Sequence, residues 1–419
     1  MGPLKTGAVD ADRRVHGRRI LIVGGGRESV PGIHRAKELG LHVVVSDGDP
    51  DCPGAEVADH FIVASTYDSE ATLLGLRDLA LPLDGVICIA TDVPVTVAEI
   101  ARALGLPGIS VAAAKLATDK LAMKARLAAD GVPVPLFTRV SSAEELNRLR
   151  RKHDDLIIKP VDSRGARGVL RLLPEVGSDW AYMEAVRHSP SGRVIAERFL
   201  QGPQISSESL VVDGVATTVG LADRNYEHLD RFAPFVVEDG GELPADIDVE
   251  AKHAIFHLIQ AAAEALDIRT GVIKGDIVLH EGRPHIIEVA ARLSGGYFCT
   301  HEIPLSTGVD LVGAAMMLAL GEFPDDLALK GTSVRHVAQR YVLPRPGRVI
   351  AVHGLDEASR RNGIELCEIR VVPGDVVEPL DSHPARAGVV IATGSNREEA
   401  RSRAVAAVAA IHVETVPDE

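Results

Sequence analysis

Aromatic residues are scarce: one Trp, five Tyr and eight Phe amount to 3% of 419 residues. That leaves little material for the stacking platforms that hold single-stranded nucleic acid. Basic charge is short as well. Forty-five Lys plus Arg face 59 Asp plus Glu, and the net charge of −14 argues against a phosphate-backbone partner or an anionic membrane surface. One anionic ligand held by a local basic cluster remains compatible with this balance. There are four cysteines, Cys52, Cys88, Cys299 and Cys367, and no CxxC pair. A ribbon-type zinc site and a disulfide framework are therefore disfavoured, and a reducing, cytoplasmic setting fits. The longest apolar run, Leu311–Leu320, is too short to span a bilayer and sits beside Asp310 and Glu322. Met1 to Arg19 has no apolar signal core, and residues 1–17 read as a flexible tail.

What is present suits a soluble globular chain: 46% apolar and 25% charged residues, with length enough for two or three domains at roughly 150 residues each. Short apolar runs at Ile20–Val23, His42–Val45, Phe61–Val63 and Gly85–Ile89 alternate with helical stretches. That alternation predicts a doubly wound α/β domain with a parallel sheet over residues 18–115. From residue 116 the texture is mixed. Helices at 119–130 and 142–152 precede strand-like runs at 156–160, 168–173, 193–200 and 207–221, a long helix at 249–266 and a hairpin at 276–289. This reads as one α+β unit over 116–330. A smaller β-rich unit over 331–419 follows, with strands at 335–342, 364–371 and 387–393 and a terminal helix at 398–411.

Several local patterns carry chemistry. Gly24-Gly25-Gly26 after a strand, with Asp47 as a ribose ligand further on, is an incomplete dinucleotide fingerprint, because Ser29 stands at the third glycine position. A tight strand-to-helix turn is the favoured reading. Lys159 ends an apolar run and is followed by Ser163-Arg164-Gly165-Ala166-Arg167-Gly168. Such a loop brings backbone N–H groups and two guanidinium groups to phosphate oxygens, with the lysine as a point charge. The alternative is a solvated hairpin turn. Glu197-Arg198-Phe199-Leu200 suits main-chain reading of adenine with a carboxylate for ribose, or else a plain edge strand.

The hairpin carries most. Taking Gly282 as the turn centre, Asp276 and Glu288 each lie six residues away and oppose one another on one face of an unbulged hairpin. The other face then carries Ile277, Leu279, Ile287 and Val289. Opposed carboxylates repel at ~5 Å between Cβ atoms, so a cation belongs between them. Two hard oxygen donors suggest Mg²⁺ bridging phosphates, the alternative being pairing with Lys274 or Arg292. Arg292 with the Ser294-Gly295-Gly296 loop could stabilise a transferring phosphoryl group and an oxyanion. Cys299-Thr300-His301, on a strand, reads as structural.

Taken in order, these residues resemble the ATP-grasp superfamily, nearest the carboxylate–amine ligases, including the L-amino-acid ligases, and more distantly biotin carboxylase. The likeness spans roughly 18–415. It implies a pre-ATP-grasp α/β domain over 18–115, an ATP-grasp domain of two subdomains over 116–330, the nucleotide-clamping one at about 119–195, and a small C-terminal β-rich subdomain over 331–419. Asp119-Lys120 matches the family's first lysine, at a helix start, and Lys159 the second. Ser163 to Gly168 matches the phosphate-covering loop, through Ser163, Arg164, Gly165 and Gly168. The adenine hinge resembles Glu197 to Leu200, with Phe199. Gln204 stands where a Glu is usual, and Glu208 aligns with an acidic position lining the site. Asp276 and Glu288 match the magnesium carboxylates. The ExNxR motif is Glu288-Val289-Ala290-Ala291-Arg292, without its Asn, which leaves one or two metal ions open. Lys274 stands where His or Thr is common, and either neutralises a substrate carboxylate or offsets Asp276.

The resemblance implies an enzyme that uses ATP and Mg²⁺, with Mn²⁺ as a substitute, to join a small-molecule carboxylate to an amine through an acylphosphate. Arg292, Gly295, Gly296 and Lys274 are the expected catalytic set, and Thr91-Asp92 the expected contact for the amine. No nucleic acid or membrane partner is expected, and a homodimer is compatible. Two rivals stand beside this: an NAD(P)-dependent oxidoreductase using Gly24 to Ser29 and Asp47, and a non-catalytic ATP-binding protein suggested by Gln204 and Ala290.

Overall fold

The computed structural model describes residues 14–325 and 328–418. The first apolar runs form a parallel sheet in the order His60–Val63, His42–Asp47, Arg19–Val23, Gly85–Ile87. Alternation along one strand covers both faces. Ile20 and Ile22 join a core with Ile33 of the helix Val30–Glu38, while Leu21 and Val23 join another with Leu76 and Ile100. All four strand residues are fully buried, as parallel strands sheathed by helices should be. Residues 1–13 of the predicted tail lie outside the described residues. Val15 does not behave as tail, since it is 0% exposed and packs in the first core.

A four-stranded sheet follows, in the order Phe137–Val140, Val194–Arg198, Leu156–Pro160, Leu170–Arg171. Helices Ala143–Arg150 and Ser178–Arg187 cover its apolar face around Leu146, Ile158, Ala181 and Val194. The strand Val194–Arg198 is flanked on both sides, so it is not the edge strand considered above.

An eight-stranded sheet spans the rest. It runs Arg283–Ala290, Gly271–His280, Gln204–Val212, Val215–Asn225, Gly240–Leu243, His336–Val342, Gly388–Gly394, Ile364–Ile369. Its last three strands come from the C-terminal segment, so the sheet is continuous across residue 330. A three-stranded sheet of Val376–Val377, Gly347–His353 and His412–Val416 is additional to the predicted strands. Its first member has only two residues, too few for a periodic signal. The segment Phe298–Glu302 is a π-helical turn rather than a strand. All four cysteines are free. Among the described residues no helix is long and apolar enough to cross a membrane.

Candidate active site

The three large sheets meet around a cavity of about 500 Å³. Ordinary local rules deliver its side chains. Asp119 caps the helix Lys120–Ala129, accepting from the N–H groups of Leu121 and Ala122 at 3.0 and 2.9 Å. That cap, itself paired with Arg193 at 2.6 Å, sets Lys120 on the first helical turn. Lys120 Nζ donates to the Ser163 carbonyl at 2.7 Å and pairs with Glu288 at 3.0 Å. Lys159, on the strand Leu156–Pro160 and 4% exposed, pairs with Glu197 at 2.8 Å.

Glu197 lines the cavity, with its carboxylate held by protein cations. Its carboxylate is 2% exposed and is shared between Lys159 and Lys124, the latter at 3.3 Å. Burial opposes its ionisation, but Lys124 and then Lys159 outweigh that and hold it below the usual carboxylate range. Lys124 went unread in the sequence, although its i+4 spacing from Lys120 puts it on the same helix face. Burial, partly offset by Glu197, lowers Lys124 to about 8. Arg198, at the end of the strand, and Phe199 and Leu200 beyond it line the cavity, with Arg171 stacked on Phe199 at 4.5 Å. Gln204 lines the same end of the cavity.

The glycine loop is not the unanchored segment that its exposed arginines imply. Arg164 donates to the Asp92 carbonyl at 2.8 Å and to Tyr67 Oη, and lies 4.6 Å over the Tyr67 ring. On the opposite side the Gly165 carbonyl accepts from His383 N–H at 2.9 Å. The loop thus bridges the N-terminal and C-terminal segments. Gly165 and Gly168 hold φ of +64° and +68°, which a side chain would strain. Amide exchange across 162–169 should slow about tenfold or more when ATP and Mg²⁺ are added, because few apolar contacts hold the loop beyond these tethers. Arg164→Ala should speed exchange without nucleotide. Equal exchange with and without nucleotide would contradict a phosphate-covering role.

In the hairpin, Asp276 and Glu288 do pair across the strands. The route differs from the symmetric one. The turn is Glu281-Gly282, both with positive φ, so Ile277 pairs with Ile286, and a bulge before Glu288 restores the opposition. The bulge exchanges two isoleucines: Ile286 is 0% exposed in the core, and Ile287, predicted for the core, lines the cavity instead. Each carboxylate already has a protein cation. Asp276 meets Lys274 at 2.5 Å and Arg224 at 3.2 Å, and accepts from Ser206 Oγ at 3.1 Å, while Glu288 meets Lys120. Burial works against the Asp276 charge, but Arg224 and Lys274 prevail and hold it well below the carboxylate range. The opposed pair therefore does not depend on a metal to relieve its repulsion.

Arg292 lines the cavity and lies 3.4 Å from Asp92. Burial disfavours its charge, yet Asp92 keeps the guanidinium firmly protonated. Asp92 is thereby committed to Arg292 and, through its carbonyl, to Arg164. Thr91 does not line the cavity; it packs on Gly24, where a Cβ would fall 2.8 Å from Thr91 Cβ. Glu208 does not line the cavity either. It is 0% exposed and accepts from Ser294 N–H at 2.8 Å and from Ser294 Oγ, which positions the loop from behind. Burial, partly offset by those bonds, raises it to about 7. Gly295 and Gly296 line the cavity, but Gly296 N–H already donates to Glu28 at 2.7 Å, so an oxyanion there would have to displace that carboxylate. Glu28 in turn pairs with Arg370 at 2.8 Å, and Gln339 donates to the Gly296 carbonyl at 2.5 Å.

Glu28 also explains the glycine turn. Asp47 is spent on that turn, accepting from Gly25 N–H at 2.7 Å and Asp49 N–H at 3.0 Å. A Cβ on Gly25 would fall 2.6 Å from Cys52 Sγ. The turn is filled by its own fold and carries Glu28 to the cavity, which removes the dinucleotide reading. Cys299 is fully buried and donates to the Ser294 carbonyl at 3.0 Å, a packing role.

Residues 33–108 match the ATP-grasp N-terminal domain, residues 117–296 the ATP-grasp domain and residues 340–416 the L-amino acid ligase C-terminal domain 2. The chain is 27% identical over 384 residues to the uncharacterized protein y4rH of Sinorhizobium fredii, spanning 90% of this chain and 77% of that protein. It is 25% identical over 416 residues to formate-dependent phosphoribosylglycinamide formyltransferase of Burkholderia mallei, spanning 94% and 95%. Its fold is similar to that of an L-amino acid ligase from Bacillus licheniformis, with a TM-score of 0.80, 22% identity and coverage of 96% and 99%. It is also similar to biotin carboxylase from Campylobacter jejuni, with a TM-score of 0.72, 19% identity and coverage of 97% and 94%.

Proposed function

The chain belongs to the ATP-grasp superfamily of ATP-dependent carboxylate–amine ligases, and from that premise we propose that it activates a small-molecule carboxylate as an acylphosphate and passes the acyl group to an amine. One observation carries this reading. Asp276 and Glu288 face one another on the wall of the cavity over which Lys120, Lys159 and the 163–168 loop converge.

The carboxylate pair fits a divalent ion. Both donors are hard oxygens, and no group of three or more His, Cys, Asp or Glu that could hold a metal occurs among the described residues, so phosphate oxygens and water would complete the coordination. Mg²⁺ held there would neutralise charge on the phosphate oxygens. Lys274 and Lys120, now the partners of these carboxylates, would turn to substrate or phosphate. Lys159 stays at the cavity, where Glu197 pairs with its ammonium.

A substrate carboxylate oxygen attacks the γ-phosphorus and ADP leaves. The amine nitrogen then attacks the acyl carbon, the C–O bond to phosphate breaks, and the nitrogen gives up a proton. Arg292, kept charged by Asp92, stands where negative charge gathers in both steps. No side chain has to become covalently attached; positioning and charge supply the acceleration. A panel of amino acids and other carboxylates, offered singly and in pairs with ATP and Mg²⁺, should give ADP and phosphate for some members. NADH and NADPH should give no thermal shift. ATP binding without ADP from any member would favour a non-catalytic module.

A further inference from the structure

The residues around Asp276 and Glu288 decide how many divalent ions this wall of the cavity can hold. The hairpin is in register at two successive positions of one face: Asp276 opposes Glu288, and Lys274 opposes Ala290. Residues two apart on a strand share a face, and all four of these line the cavity. On the other flank, the strand Gln204–Val212 sets Ser206 beside Asp276 and Glu208 beside Lys274. The sheet thus presents two rows, Ser206-Asp276-Glu288 and Glu208-Lys274-Ala290.

The first row has oxygen to spare. Lys274 at 2.5 Å, Arg224 at 3.2 Å and Ser206 Oγ at 3.1 Å all approach Asp276 through Oδ1, and among the described residues no hydrogen bond reaches Oδ2. Lys120 meets Glu288 through Oε1, leaving Oε2. One oxygen of each carboxylate is therefore open to a metal ion. The second row offers none. Ala290 ends in a methyl group, and both oxygens of Glu208 accept from Ser294, one from its N–H and one from its hydroxyl. Lys274 places a cation there instead, and the small side chain of Ala290 opposite leaves it room. Two-metal phosphoryl-transfer sites hold their ions roughly 3.5–4 Å apart. A second ion on the Oδ1 side of Asp276 would need the place that the ammonium group holds.

We propose that Lys274 stands in for a second divalent ion, so that the cavity takes one metal ion with its nucleotide and meets further phosphate charge with a fixed ammonium group. This rests on the ligase reading for the nucleotide and its metal, and on the hairpin register for the count. An ammonium group has three donors. One stays on Asp276 and another is free for a phosphate oxygen, so the lysine bridges carboxylate and phosphate as a metal ion would. It cannot dissociate, so no second ion has to be recruited from solution.

The test is electron paramagnetic resonance of Mn²⁺ on the full chain saturated with β,γ-imido-ATP. The parent should bind one Mn²⁺ with the nucleotide and show the six-line signal of an isolated ion. Lys274→Gln removes the charge and supplies an amide oxygen, so it should bind a second Mn²⁺ and show spin coupling between the two. Lys274→Arg keeps the charge and should stay at one. Ions bound elsewhere on this acidic chain are too far apart to couple, so coupling marks neighbours. Lys274→Gln leaves Asp276 with Arg224 and Ser206, and its melting curve checks that it folds; should it not fold, the parent spectrum decides alone. A coupled pair in the parent, no Mn²⁺ bound with the analogue, or no coupled pair in folded Lys274→Gln would overturn the proposal. No substrate is present in this experiment. An isolated ion in the parent, with no ADP from any carboxylate and amine, would fault the ligase reading and leave the role of Lys274 standing.

Discussion

Replacing Glu288 by Gln should lower turnover roughly 10³-fold, with a much smaller change in ATP affinity. The carboxylate lies opposite Asp276, and the charge it would help neutralise grows during phosphoryl transfer. Its present partner is Lys120 at 3.0 Å, and Lys120 keeps the Ser163 carbonyl as a second acceptor at 2.7 Å. The amide oxygen of Gln can still accept from Lys120, so the variant should fold with a melting temperature close to that of the parent. A gain in stability from relieved repulsion is not expected, because both carboxylates already have cations. Near-normal turnover of ATP on an accepted substrate pair would refute the role of this hairpin.

Lys159→Ala should weaken ATP affinity about 100-fold, close to 2.7 kcal/mol. The lysine is 4% exposed and lines the cavity, so its ammonium would meet phosphate largely stripped of water, where charge-assisted bonds are strong. The same change removes one of two cations from buried Glu197. Lys124 remains at 3.3 Å, so stability should fall by only about 1–3 kcal/mol. Lys124→Ala is the matched control. Lys124 is 0% exposed and does not line the cavity, so its loss should cost stability while affecting ATP only through Lys159. Calorimetry with unchanged ATP affinity in Lys159→Ala would remove the phosphate assignment.

The residues legible in the sequence are those set by local rules. An N-cap fixed Lys120, a strand end fixed Lys159, and cross-strand pairing put Asp276 opposite Glu288. That last agreement hid two compensating departures, a turn centred one half-residue earlier and a bulge that gives it back. Nothing in the local residue types marks such a bulge, which is why Ile286 and Ile287 exchanged sides. The direction of Glu197 depended on its strand being flanked on both sides, a fact of sheet order rather than of pattern. Glu28 and Arg370 come to the site from distant segments: the Glu28–Arg370 hydrogen bond closes a separation of 342 residues. Contacts that remote are written in topology, and no periodicity or spacing carries them. The glycine turn was correctly seen as a turn, and only the structure disclosed that its product is Glu28.

On the proposed route a substrate carboxylate is activated by direct phosphorylation. The most direct measurement uses an accepted amino acid labelled with ¹⁸O in both carboxylate oxygens, with ATP, Mg²⁺ and the amine partner. Attack of a carboxylate oxygen on the γ-phosphorus should deliver one ¹⁸O to each inorganic phosphate released, alongside ADP. Label absent from phosphate, or AMP formed in place of ADP, would contradict it.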